Sequence, residues 1–158
     1  TATGVQTWAL PIKKNQNIIK KNYKKKIILI DRFIDSTIAY QHFGMNIDLK
    51  VINFLNQFLL RNIKVDFTFV NIVNKKNLFL RLKKRKTLNR YDKFKYTFYE
   101  KVQSGYMKLS KKNKKYLIID SNKDFDLNKN LILDKVLRLI KWTLTLIINK
   151  NCFQFTNL

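Results

Sequence analysis

Three short apolar runs limit what this chain can fold into. "IILI" at 27–30, "VDFTFVNIV" at 65–73 and "YLIID" at 116–120 are rich in aliphatic, β-branched and aromatic residues, and runs of that length and composition form buried strands. The first is apolar throughout, as strands covered on both faces are, and Asp31 and Arg32 follow it directly. Helical spacing fills the intervals. "DSTIAYQHF" makes a short helix with Asp35 or Ser36 placed to cap its first turn. "NIDLKVINFLNQFLLRN" sets Val51, Leu55 and Phe58 on one face with Ile52 and Leu59 beside them, and 95–112 sets Phe98, Val102, Tyr106 and Leu109 at i, i+4, i+8 and i+11. A closing helix is expected over 129–148. The alternation of strands with helices predicts an α/β fold with a parallel sheet. Ligands of such sheets collect at the carboxyl ends of the strands, where Asp31 and Arg32 sit.

At 158 residues and 46% hydrophobic, the chain suits one domain with a real core. Its formal charge of +23 would ordinarily suggest a polyanionic partner. Only six of the 33 basic residues are Arg, however, and abundant Lys, Asn and Ile are what an A/T-rich coding sequence produces. A basic nucleic-acid-binding protein stays as the alternative, since Tyr and Phe interleave with Lys over 91–106; those aromatics fall at helical spacing and are better explained as core. One Cys (Cys152) and one His (His42) exclude an internal disulfide and leave too few soft ligands for zinc, so any metal must be held by oxygen. The apolar segment 131–148 is interrupted by Asp134, Lys135, Arg138 and Lys141, which argues against a membrane span and for a cytoplasmic protein. The opening "TATGVQTWALPI" breaks in composition at Lys13 and is similar, with one residue changed, to a translated sequencing adapter. Residues 1–12 are therefore set apart as a scar, with the natural amino-terminal part missing.

Several stretches carry a more specific pattern. "DRFIDSTIAYQ" holds Asp31, Arg32, Ser36, Ala39, Tyr40 and Gln41; "LNQF" at 55–58 precedes "VDFTFVNIV"; "NRYDKFKYTFYEKVQSGYMKL" and "LIIDSN" follow. In this order they resemble the bacterial thymidylate kinase family, with its D-R-x-x-x-S-x-x-A-Y-Q element, L-N-x-F helix, P-D-L-T-x-x-L-D-V strand, D-R-F-E and F-x-x-x-V-x-x-G-Y-x-x-L segment, and V-I-D-A. Val65, Asn71 and Asn89 depart from it, replacing a Pro and two Asp. No G-x-x-x-x-G-K-S/T occurs, and Gly4, Gly44 and Gly105 cannot assemble one. The resemblance implies a three-layer P-loop-kinase-like α/β fold with a parallel sheet, lacking the P-loop strand and helix. Residues 13–140 would be the carboxyl-terminal part of a nucleoside monophosphate kinase domain, with a lid at about 81–92, and 141–158 an unassigned tail. Loss of a central strand would leave a sheet edge unpaired and apolar surface uncovered.

The implied chemistry is phosphoryl transfer from ATP to dTMP giving dTDP, with this chain an inactive fragment. Arg32 would fork onto the acceptor phosphate with the planar geometry that Lys lacks, while Asp31 orients it or holds Mg2+ through water. By resemblance, Thr37 and Gln41 contact the thymine ring, Ser36 belongs to the same substrate site, and Tyr40 packs under the deoxyribose. Arg81, Arg85 and Arg90 are candidates for a lid that brings a cation to the transferred phosphate; the sequence does not choose among them. His42 is expected to be structural or solvent-facing. The implied partners are dTMP and ATP, with no nucleic acid and no membrane, and a homodimer at full length. Another nucleoside or nucleotide kinase with a similar Asp-Arg element is a third reading.

Overall fold

A computed structural model describes residues 19–22, 26–60, 63–87, 89, 91–111, 113–145 and 152–156. Strands form at the three apolar runs: β1 is Ile28–Asp31, β2 is Phe67–Ile72 and β3 is Tyr116–Asp120. Helix α1, Ile34–Thr37, continues into a π-helix at Ile38–Gly44. Then come α2 at Leu49–Leu60, α3 at Lys75–Lys84, a 3-10 turn at Tyr91–Lys93, α4 at Tyr96–Lys111 and α5 at Phe125–Thr145. The proposed scar, 1–12, lies outside the described residues.

A fourth strand, β4 at Cys152–Thr156, comes from the stretch left unassigned by the sequence. All pairings are parallel and the order is β1-β4-β2-β3. Ile28 is in register with Cys152 and Phe67 with Phe153, so β4 fills the gap between β1 and β2. The expected unpaired edge at that place is thereby corrected. The stretch CFQFT carries two polar side chains and lacks the aliphatic run that marks β1 and β3, so composition did not single it out.

β2 is covered on both faces. Phe67 and Phe69, with Ile119 of β3, pack against Ile132, Val136 and Leu139 of α5. Val70 faces the other way, into a cluster with Tyr40, Leu78, Val102 and Tyr106. A third cluster, Ile19, Phe33, Leu60 and Ile63, covers Ile28 and Ile30 of β1. Each such side chain contributes about 1.5–3 kcal/mol when fully buried. The sheet is thus sandwiched between helices, in three layers.

α2 presents a different face from the one its spacing suggests. Val51 and Phe58 are exposed and Leu55 is half-buried, whereas Ile52, Asn56 and Leu60 turn inward. The helix is apolar on both sides, so periodicity alone does not select the stripe that packs. Against α4, the π-helix comes unusually close. Phe43 lies over Gly105 and Phe98 over Gly44, and a Cβ at either glycine would sit 2.5 or 2.6 Å from the facing ring.

Candidate functional site

β1 ends at Asp31, and the next residue does something costly. Arg32 has φ 59°, in the left-handed region that non-glycine residues rarely occupy. Its guanidinium carbon lies 5.1 Å from the centre of the Tyr40 ring, within cation–π range. Tyr40 is carried by the π-helix, a distortion that recurs at functional sites. It is buried, with the Tyr91 ring edge-on at 5.1 Å and Phe98 at 5.8 Å. Burial pushes the Tyr40 hydroxyl above its ordinary pKa, while Arg32 pulls it back.

α3 brings two further arginines to the same place. Asn74 caps its start by accepting from the Asn77 amide at 2.8 Å. One turn from the far end, Arg81 Nη2 donates to the Ser121 carbonyl at 2.6 Å. Arg85 pairs with Asp92 at 2.5 Å. The other oxygen of Asp92 accepts from the Asn89 amide, and Asn89 Oδ1 accepts from the amides of Tyr91 and Asp92. This reciprocal pattern is a capping box, and it closes the 3-10 turn. Arg32, Tyr40, Arg81, Arg85 and Tyr91 together line a narrow cavity of about 30 Å³. A larger cavity of about 510 Å³ opens at the carboxyl ends of β2 and β3, between Asn71, Arg81, Ser121, Lys123, Phe125 and Asn128. Its size is that of small-molecule sites, and Arg81 borders both cavities.

Ser36, Thr37 and Gln41 are buried and do not line the narrow cavity. Tyr106 donates to Ser36 Oγ at 2.7 Å, and Thr37 Oγ1 donates to the Phe33 carbonyl at 3.3 Å. The expected capping role of Asp35 or Ser36 is corrected: α1 has no side-chain cap. Instead Asp35 Oδ2 accepts from Tyr116 at 2.9 Å and from Thr68 at 3.3 Å, a partnership across the sheet that local spacing could not reveal. His42 Nδ1 lies 2.9 Å from the Ile47 carbonyl, tying down the turn after the π-helix. Arg90 lies outside the described residues. Lys123 and Phe125 were missed by sequence reasoning, which had no motif there.

Asp31 is exposed at the rim. Among the described residues no three His, Cys, Asp or Glu side chains gather as a metal cage. A single rim carboxylate nevertheless fits Mg2+, which keeps several waters and takes further ligands from phosphate oxygens. No helix among the described residues is long and apolar enough to cross a membrane.

A parallel sheet with helices on both faces defines the class, an α/β protein, and its arginines gather at the end of the sheet where ligands of such folds collect. The particular family follows from comparison. A thymidylate kinase family model matches residues 8–132. The chain is 38% identical over 130 residues to the thymidylate kinase of Mycoplasma capricolum, covering 80% of this chain and 61% of the relative. It is 39% identical over 112 residues to that of Mesomycoplasma hyopneumoniae strain J, covering 69% and 53%. The crystal structure of thymidylate kinase from Ehrlichia chaffeensis superposes with a TM-score of 0.62 at 27% identity, covering 85% of this chain and 65% of that one. The chain belongs to the thymidylate kinase family. It spans between half and two thirds of the length of these relatives.

Proposed function

We propose that this chain carries the acceptor side of an enzyme that moves the γ-phosphoryl group of ATP onto dTMP, giving dTDP and ADP. A dTMP phosphate oxygen bonds to the γ-phosphorus as the bond to the ADP oxygen breaks. Such transfer needs cations to hold phosphates and absorb shifting charge. Arg32 takes the acceptor phosphate, and the observation that carries the reading is its left-handed backbone at the end of β1, with the guanidinium over Tyr40. Arg81 and Arg85 are the cations for the transferred group, supported by their sharing a cavity with Arg32. The larger cavity bordered by Arg81 suits the donor nucleotide. Ser36, Thr37 and Gln41 serve the acceptor by shaping the element that carries Tyr40, and their burial supports this. Asp31 would hold Mg2+ through water, and the ion would supply positive charge to the phosphates. A homodimer belongs to the same reading, supported by the exposed apolar face of Val51, Phe54 and Phe58 on α2, as does a cytoplasmic location.

No glycine-rich phosphate loop can be assembled from this sequence, so the 158-residue chain binds dTMP but does not turn it over. Calorimetric titration with dTMP, dCMP, dGMP and thymidine tests the first half: dTMP binds best, and equal binding of dCMP refutes the reading. Incubation with ATP, Mg2+ and dTMP tests the second, where turnover above background by the purified chain refutes inactivity.

A further inference from the structure

A residue in the left-handed region persists only where its surroundings over-determine it. For Arg32 the upstream constraint is the ladder, since Asp31 is in register with Phe155 of β4. The downstream constraint is α1 running into the π-helix, a segment whose start has no side-chain cap, so what fixes its first turn must come from tertiary contacts. Its inward side chains are tied to other elements. Ser36 is fastened to α4 through Tyr106. Asp35 is fastened to two strands at once: its donors, Thr68 and Tyr116, are register partners on β2 and β3, and both point at the same oxygen, Oδ2.

Asp35 is an expensive residue for that place. It is only 8% exposed, and no Lys or Arg forms an ion pair with it among the described residues. A buried carboxylate without a cation is costly, and an aliphatic side chain would pack there more cheaply. An aliphatic side chain, however, would leave the face of α1 toward β2 and β3 without a directional contact. Two hydroxyl donors on one oxygen supply that contact.

We propose that Asp35 is a positioning residue: its carboxylate, anchored on the Thr68–Tyr116 rung, sets the orientation of α1 and so holds Arg32 left-handed with its guanidinium over Tyr40. The consequence for phosphate binding rests on the function proposed above; the consequence for the Arg32 backbone does not.

The test is NMR of the full chain, reading the backbone couplings and Cα and Cβ shifts of Arg32, which report the sign of φ, together with dTMP affinity. In Asp35→Ala the fold is retained, judged by the Phe69 and Tyr106 signals, while Arg32 leaves the left-handed signature and dTMP affinity falls about tenfold. Asp35→Asn, whose amide oxygen still accepts from both hydroxyls, keeps the signature and loses less than about threefold. If Asp35→Ala does not fold, Thr68→Val with Tyr116→Phe removes the same two bonds from the other side and must shift Arg32 in the same way. A left-handed Arg32 in a folded Asp35→Ala, or in the Thr68→Val/Tyr116→Phe chain, overturns the proposal, as does an Asn variant as impaired as the Ala variant. If Arg32 moves and dTMP affinity does not, the positioning role stands and the proposed function fails.

Discussion

Replacing Gly105 with Ala puts one methyl group where the Phe43 ring meets α4. Position 105 lies inside α4, and its φ is not positive, so glycine is there for space rather than for backbone freedom. The new Cβ would stand 2.5 Å from Cδ2, 2.7 Å from Cγ and 3.0 Å from Cβ of Phe43. Carbon atoms settle at about 3.5–4.0 Å, so the ring must retreat by roughly 1 Å. It cannot do so by swinging its tip, because the crowded atoms include Phe43 Cγ and Cβ, next to the π-helix backbone. Overpacking of this kind costs about 1–3 kcal/mol, against about 1 kcal/mol gained from the better helix propensity of Ala. A net loss of up to about 2 kcal/mol is expected, lowering Tm by up to about 8 °C in a chain of this size. Urea unfolding checks it: the midpoint falls while the slope stays constant. In a Phe43→Ala background the same substitution becomes neutral or stabilising, giving a clear coupling in the double-mutant cycle. A Gly105→Ala chain at least as stable as its parent, or a cycle without coupling, refutes the steric reasoning.

Arg32→Gly relieves the left-handed backbone, worth roughly 1 kcal/mol, and loses a cation–π contact of about 0.5–1 kcal/mol. Thermal stability therefore changes little while dTMP binding disappears; a large loss of stability would show that Arg32 is structural. Burial raises the pKa of Asp35 above its ordinary 3.8 despite the hydroxyl bonds from Tyr116 and Thr68. A carboxyl raised in this way favours the folded state most when protonated, so its contribution is full below pH 3.8 and is lost as pH climbs through the raised value. The difference in urea midpoint between the parent and Asp35→Asn should shift against the parent as pH rises from about 4 to 8, and a flat or opposite difference sinks the assignment. Asn56 is buried with neither Oδ1 nor Nδ2 partnered among the described residues. Asn56→Leu should stabilise by about 1–2 kcal/mol by removing that desolvation cost; destabilisation in a melting experiment would mean that the amide is satisfied.

Much of this fold could be read from local pattern. β3 occupies the residues its apolar run marks, and α4 falls within one residue of its predicted ends at both termini. What stayed hidden depends on contacts between distant residues. Asp35 stands where a helix cap belongs, and only its partners 33 and 81 residues away redirect it inward. α2 offers two apolar stripes, and the sheet chooses the one with Asn56. The Arg32 backbone angle leaves no trace in composition. Asn89, a departure from the family pattern, proves conservative in its local role: its side-chain oxygen caps Tyr91 and Asp92, a task Asp would do equally well. Lid arginines were visible as residue types, but their present attachments, Arg81 to a backbone carbonyl and Arg85 to Asp92, were not.

The middle position of β4 bears on how the molecule assembles. Among the described residues β1 has no other ladder partner, so the strand bearing Asp31 joins the sheet only when residues from the opposite end of the sequence arrive. Closing so long a loop is entropically slow compared with local helix formation. Helices should therefore be in place before the rim that holds Arg32 exists. Once formed, the β1 and β4 amides should exchange with solvent as one cooperative unit, and the rim after β1 matures last.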